Sequence, residues 1–237
     1  MFIAGFPSGS LAANCYLVAA GPGTPCVIVD PGEGALDQVR AIVAEHRLEP
    51  VAVLLTHGHL DHAASLRDVT EAYDVVGAMH PADEYMLDDP LSALSPELRA
   101  MLVGYPLPVM RPEELLALGP TDRVNVGDFD LVVDGSPGHT DGSLVYRLDG
   151  GRDRPTVLFT GDTLFAGSVG RTDLPGGSTE RLNASLHRLL AASDEAVILP
   201  GHGPQSTIGA ERQSNPFLAA AASQAAEARS GKLWNRA

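Results

Sequence analysis

Short apolar runs open the chain at Phe2-Ile3-Ala4, Tyr16-Leu17-Val18 and Val27-Ile28-Val29, separated by Gly, Pro and Ser positions. That pattern predicts successive hairpin strands. Asp30-Pro31-Gly32-Glu33-Gly34 breaks it, and Leu36, Val39, Ile42 and Val43 then recur at helical spacing ahead of a second apolar run, Val51-Ala52-Val53-Leu54-Leu55. A strand, a helix and a strand in that order predict a parallel pairing. The next helix is expected from about Ala63 to Tyr73 with Leu66 and Val69 inward, followed by a strand at Val75-Val76-Gly77-Ala78 that His80-Pro81 ends.

Between Pro81 and Pro120 prolines punctuate short helical pieces such as Pro96-Glu97-Leu98-Arg99-Ala100-Met101-Leu102. Residues 81–120 therefore read as a helical insertion or a cap over a sheet edge, with apolar side chains available to wall a substrate site. Strands resume at Phe129–Val133, Leu144–Leu148 and Thr156–Phe159, then a helix from about Ser178 to Leu190 and a strand from Ala196 to Leu199. The second half thus repeats the first in the order of its elements. An alanine-rich helical tail is expected over 216–237, chiefly 216–230, and the whole chain, 1–237, is expected to form one domain.

Composition narrows the function. At 237 residues and 44% hydrophobic, the chain can bury a substantial core. A formal net charge of −14 argues against nucleic acid as a partner, because phosphate contacts need clustered Lys and Arg. Cys15 and Cys26 both lie in apolar, strand-like surroundings and read as buried thiols rather than a disulfide. No basic, apolar leader is recognisable, and no apolar stretch approaches the ~20 residues needed to span a bilayer. A cytoplasmic protein without a membrane partner is the expectation.

The chemistry concentrates in Thr56-His57-Gly58-His59-Leu60-Asp61-His62, directly behind the run Val51–Leu55. Any one histidine there is explained well enough as a solvated residue, but three imidazoles and a carboxylate at one strand end are a ligand set for a divalent ion. Three more candidates follow strand-like runs in the same way: His139 after Leu131-Val132-Val133, Asp162 after Val157-Leu158-Phe159, and His202 after Ala196-Val197-Ile198-Leu199. Two divalent ions, with zinc first and iron or manganese accepted by the same ligands, suit that ligand count. His46 and His187 sit on predicted helices and read as surface residues; His80, at a strand end, has no place among the ligands.

The ordered motifs T-H-G-H-L-D-H, P-G-H-T at Pro137–Thr140, T-G-D-T-L-F at Thr160–Phe165 and P-G-H-G-P at Pro200–Pro204 resemble the metallo-β-lactamase superfamily. The resemblance implies an α+β fold, a four-layer αββα sandwich with the site at one edge of two packed sheets. It further implies that His57, His59 and His139 hold one metal, that Asp61, His62 and His202 hold the other, and that Asp162 bridges them. The classical zinc β-lactamases carry a Cys ligand at the second metal, whereas this sequence has Asp162 in that region and no Cys, which points away from β-lactam hydrolysis.

The stretch Gly161–Asp173 is similar to the glyoxalase II group, the hydroxyacylglutathione hydrolases, and to the persulfide dioxygenases, and Gly203–Phe217 resembles the short bacterial form of glyoxalase II. Arg171 matches a basic residue that helps hold the carboxylate of the thiol; a salt bridge to Asp173 is its structural alternative. The longer enzymes add a C-terminal helical domain for glutathione that is not recognisable here, although Arg212, Arg229, Lys232 and Arg236 are basic residues toward this end. The resemblance implies hydrolysis of an S-acyl thioester, a small-molecule thiol-ester substrate, by a metal-bridging hydroxide, with Asp61 and Asp162 as catalytic carboxylates. Thr140 and Asp141 read equally as residues that orient His139 or as loop caps. Two other readings stay open: a mononuclear iron persulfide dioxygenase using His57 or its neighbour, His139 and Asp162, and a non-catalytic metal-binding protein on the same fold.

Overall fold

A computed structural model describes residues 1–104, 106–151 and 154–218. The opening runs form strands β1 (Phe2–Ser8), β2 (Ala13–Ala19) and β3 (Pro25–Val29), joined antiparallel as expected. Helix α1 (Ala35–His46) then crosses over so that β4 (Glu49–Leu54) pairs parallel with β3. The helix expected from Ala63 to Tyr73 starts earlier and is broken in two, α2 (Leu60–Ala63) and α3 (Leu66–Tyr73). Its break falls where the Ser65 N–H turns to the Pro31 carbonyl, 3.0 Å away, a long-range contact with no local signal. Leu66 and Val69 are buried as expected.

Strand β5 (Val76–Met79) pairs parallel with β4, and the 81–120 region follows it with α4 (Tyr85–Asp88), α5 (Pro96–Leu102) and two 3₁₀ turns at Pro81–Asp83 and Pro90–Ala93. That region is not wholly a cap. Leu115–Ala117 is strand β6, which pairs with β5 and completes a six-stranded first sheet.

The second sheet contains β7 (Arg123–Val126), β8 (Phe129–Gly135), β9 (Leu144–Leu148) and β10 (Val157–Gly161) as an antiparallel run. A small hairpin of β11 (Leu164–Phe165) and β12 (Ser168–Val169) and helix α6 (Thr179–Leu189) lead to β13 (Val197–Pro200), parallel to β10. Strand β14 (Ser206–Thr207) and helix α7 (Ile208–Ser214) follow. Of the tail helix expected over 216–237, residues 216–218 are helical and Leu218 is buried; the remainder, with Arg229, Lys232 and Arg236, lies outside the described residues.

Period-2 alternation builds the four layers. In β2, Tyr16 and Val18 face the second sheet and pack with Val133, Tyr146 and Phe159, while Cys15 and Leu17 face the helices and pack with Val39, Leu66 and Val69. On the far side, Val145, Leu158 and Ile198 bury Leu182 and Leu186 of α6. Helix layer, sheet, sheet and helix layer follow from those three clusters, the αββα sandwich expected. Cys15 and Cys26 are free, buried thiols. Among the described residues no helix is long and apolar enough to cross a membrane.

Candidate metal centre

All seven expected ligands lie just beyond the C-terminal ends of β4, β8, β10 and β13, which open on one edge of the sandwich. Cross-sheet hydrogen bonds lock that edge. The Tyr146 hydroxyl donates to the Leu55 carbonyl at 2.7 Å, holding the His57 loop, and the Tyr16 hydroxyl donates to the Pro200 carbonyl at 2.8 Å, holding the His202 loop.

The side chains converge as two sets. His57, His59 and His139 offer ligand atoms within 4.8 Å of one another, and so do Asp61, His62 and His202. Asp162 stands between them: Oδ1 is 3.3 Å from His62 Nε2, and Oδ2 is 3.6 Å from both His139 Nε2 and His202 Nε2. Within the sets, His139 Nε2 is 2.9 Å from His59 Nδ1 and His202 Nε2 is 3.2 Å from Asp61 Oδ2. Ligand atoms about 2.0–2.1 Å from a tetrahedral ion stand roughly 3.3–3.4 Å apart, so this spacing suits first-row dications. His57 Nε2 and Asp162 Oδ1 are also buried with no hydrogen-bond partner, as is His59 Nε2, an unusual cost for a folded protein that a bound cation would offset for the two atoms facing the site.

Hydrogen bonds away from the centre fix which nitrogen each imidazole presents. His139 Nδ1 donates to the Arg171 carbonyl at 2.8 Å, and His62 Nδ1 donates to Asp30 Oδ2 at 3.0 Å, leaving both Nε2 atoms inward. The Thr56 hydroxyl gives its proton to Asp30 at 2.6 Å and so accepts from His57 Nδ1 at 3.1 Å, turning His57 Nε2 inward as well. His59 alone faces its set through Nδ1. Glycine is required where the ligands crowd the backbone: a Cβ at Gly201 would lie 2.2 Å from Asp162 Oδ1 and 2.7 Å from His62 Cε1.

Electrostatics divide the histidines. Burial and the neighbouring imidazoles hold His57 well below the ordinary histidine range, and burial with His139 brings His59 down to about 3. Burial also opposes the charged form of His62, but Asp162 and Asp30 outweigh it and raise this group well above its usual value. His202 is raised by its hydrogen bond to Asp61. For Asp61 and Asp162 burial is outweighed by the surrounding histidines, and both stay below the usual carboxylate range. In the metal-free chain, the contribution of charged His62 and His202 to stability is therefore full below about pH 6.5 and is lost as pH rises through their raised values.

Metal binding removes the same protons. Zinc affinity, measured by chelator competition at pH 6, 7 and 8, is expected to rise with pH by up to about a hundredfold per unit, since two raised imidazoles give up protons. A pH-independent affinity would contradict this assignment.

Two carboxylates in this network lacked a sequence assignment. Asp30 ends β3 as the ligands end their strands, and that placement was the available signal. Asp83, fully buried in a 3₁₀ turn, accepts from Gly58 N–H, the Thr140 hydroxyl and Gly142 N–H at 3.2, 2.6 and 2.8 Å, and nothing local marks it. Thr140 thus acts on Asp83 rather than on the His139 ring, and Asp141 pairs with Arg181 on α6 instead of orienting His139. His46 packs against the Phe2 ring in a tilted contact and His187 is exposed, both away from the centre. His80 accepts from Ala82 N–H.

A two-sheet sandwich with a His/Asp cluster at its edge defines a metal-binding fold of the hydrolase type. A profile described as the metallo-β-lactamase superfamily matches residues 9–202, and the chain belongs to that superfamily. An uncharacterized protein of Mycobacterium tuberculosis is 45% identical over 92% of this chain and 98% of its own length. A probable metallo-hydrolase of Bacillus subtilis is 36% identical over 90% and 95%, and a hydroxyacylglutathione hydrolase of Haemophilus influenzae is 31% identical over the same shares.

Among solved structures, one named a B3 metallo-β-lactamase, BLEG-1, superposes with a TM-score of 0.77 at 32% identity, covering 92% of this chain and 99% of that one. TTHA1623 in a di-iron-bound form superposes with a TM-score of 0.75 at 35% identity, covering 92% and 100%. A protein named as a β-lactamase shares this fold across nearly the whole chain, so the case against β-lactam hydrolysis rests on the ligand set alone.

Proposed function

We propose that this superfamily member is a dinuclear metallohydrolase that cleaves S-acyl thioesters. The observation that carries the dinuclear reading is the placement of Asp162, whose two oxygens reach different histidines on either side of it. His57, His59 and His139 would hold one ion, Asp61, His62 and His202 the other, and Asp162 both. When bound, such a pair of dications would supply a water acidic enough to serve as hydroxide near neutrality, and positive charge for the acyl oxygen of the substrate. The chain's own part is to place the reactants. Asp61 and Asp162 orient the attacking water, Asp30 and the Arg171 carbonyl hold His62 and His139 in the required tautomers, and the pocket beside Asp61 positions the thioester. A thiolate leaves without needing a proton, so a site without a further protein acid suits this substrate class. Identity to a hydroxyacylglutathione hydrolase supports the reading, and the di-iron relative supports iron as an alternative to zinc.

The test is metal content per chain together with anaerobic thiol release from S-lactoylglutathione and simpler thioesters. Two metals and hydrolysis without oxygen are expected. One iron, no hydrolysis, and oxygen uptake with glutathione persulfide would replace the proposal with the dioxygenase, and metal with neither activity would favour a binding protein.

Arg171 lines the pocket, but its guanidinium is bound to Asp173 at 2.8 and 2.6 Å. Arg171→Ala removes one partner of an exposed pair and leaves the backbone carbonyl that orients His139 in place, so kcat should hold within about twofold. A selective rise in KM for carboxylate-bearing thioesters is the expected mark of a substrate contact; an unchanged KM would confine Arg171 to its ion pair.

A further inference from the structure

The pocket beside the metal centre has a volume of about 670 Å³ and opens past His59, Asp61 and His202. Its leucines come from four places: Leu11 in the turn between β1 and β2, Leu60 on α2, Leu174 in the loop before α6, and Leu94, Leu98, Leu102 and Leu107 from the 81–120 region. Helix α5 buries none of its residues, and Leu98 is 41% exposed. Yet Leu98 and Leu102, four residues apart and so on one face, both line the cavity. An apolar helix face that packs on no core and instead borders a reactive centre is built to meet a ligand.

Charge in the pocket points the same way. Among the described residues lining it, Arg171 is the one Arg or Lys, and both carboxylate oxygens of Asp173 already engage it. Glu33 adds a carboxylate at the rim that accepts from the Ser10 N–H and hydroxyl at 3.1 and 3.2 Å. Away from the metal ligands, a thiol part bearing several carboxylates would meet a guanidinium already committed to Asp173 and the Glu33 carboxylate. A neutral aliphatic group would instead remove water from leucine side chains.

Resting on the thioesterase reading, we infer that the preferred substrate carries an uncharged aliphatic acyl chain, seated against Leu94, Leu98, Leu102 and Leu107, and that an anionic peptide thiol is not what the pocket selects. The 81–120 region is then the element that determines specificity, while the ligand loops supply the chemistry common to the fold.

The experiment uses the full chain loaded with zinc and a series of N-acetylcysteamine thioesters, acetyl, butanoyl and hexanoyl, set against S-lactoylglutathione. kcat/KM is expected to rise about fourfold per added methylene and to exceed that for S-lactoylglutathione at hexanoyl. Leu98→Arg should flatten the series and raise activity toward S-lactoylglutathione. In parallel, non-hydrolysable S-alkyl thioethers of N-acetylcysteamine are titrated into the metal-free protein against the neutral fluorophore N-phenyl-1-naphthylamine. Displacement should strengthen with chain length in the unmodified chain and weaken about tenfold in Leu98→Arg. A flat thioester series with S-lactoylglutathione preferred, or thioether binding indifferent to chain length, would overturn the inference. If no thioester is turned over by protein carrying two metals, the thioesterase reading fails, and the thioether titration still decides whether the pocket selects aliphatic groups.

Discussion

Asp162→Ala is expected to lower thioester turnover by at least about a thousandfold and to cut metal content from two ions per chain to one or fewer. The carboxylate is 11% exposed and reaches His62 through Oδ1 and His139 and His202 through Oδ2, so its loss strikes both ligand sets together. It also removes part of the negative charge that raises His62 and His202, leaving Asp30 and Asp61 as their remaining carboxylate partners. Removal of one member of either set alone, as in His59→Ala, leaves the other set whole and should spare one ion. Elemental analysis of purified variants, read beside thiol release and circular dichroism, separates these outcomes. A folded Asp162→Ala protein that keeps two metals and turns over substantially would remove Asp162 from the shared position.

The ligands were legible in the sequence because each follows an apolar strand run, and a strand's end is a rigid place whose position the core dictates. Their pairing into two sets came from the family resemblance of the motifs and not from the spacing itself: His139 and His59 are eighty positions apart, and sandwich packing is what puts Nε2 beside Nδ1. The strands missed by pattern reading were short or half-exposed. Leu115–Ala117 is three residues in a proline-rich region, and Arg123–Val126 presents one buried side chain. Neither carries enough alternation to stand out from a loop. The broken helix between Leu60 and Tyr73 has the same origin, since helical spacing continues through Ser65 while the Pro31 carbonyl draws its N–H away. What the break achieves is functional: it gives Asp61 and His62 a short turn of their own, separate from the helix whose Leu66 and Val69 serve the core.

The orienting residues divide along the same lines. Asp30 shared the signal of the ligands, an acid at the end of an apolar run, and serves His62 directly and His57 through Thr56. Arg171 was singled out for its guanidinium, yet its firmest contact with the centre is a backbone carbonyl, which no side-chain motif encodes. Asp83 is the extreme case. Its three donors come from residues twenty-five or more positions away, and it belongs to a turn whose sequence, Pro81-Ala82-Asp83, is ordinary.

Asp83 is also where the largest loss of stability is expected. Its carboxylate joins Gly58, between His57 and His59, to Thr140 and Gly142, beside His139. The packing leaves no slack, because a Cβ at Gly142 would lie 2.7 Å from Asp83 Cγ. Burial pushes Asp83 above its usual range against those three donors, so it sits in a low-dielectric position where each bond matters. Asp83→Ala strands two backbone N–H groups and a hydroxyl, at a cost of about 3–5 kcal/mol in urea unfolding. Asp83→Asn keeps the shape and one acceptor oxygen and should cost roughly 1–3 kcal/mol. Both tethered loops carry the His57, His59 and His139 set, whereas the direct side-chain partner of Asp30 among the ligands is His62 of the other. Zinc titration of folded Asp83→Asn should therefore find one ion bound as in the unmodified chain and one weakened by about 10–100-fold. Equal weakening of both ions would make Asp83 a general support of the fold, while selective loss at one identifies it as the residue that positions the first set.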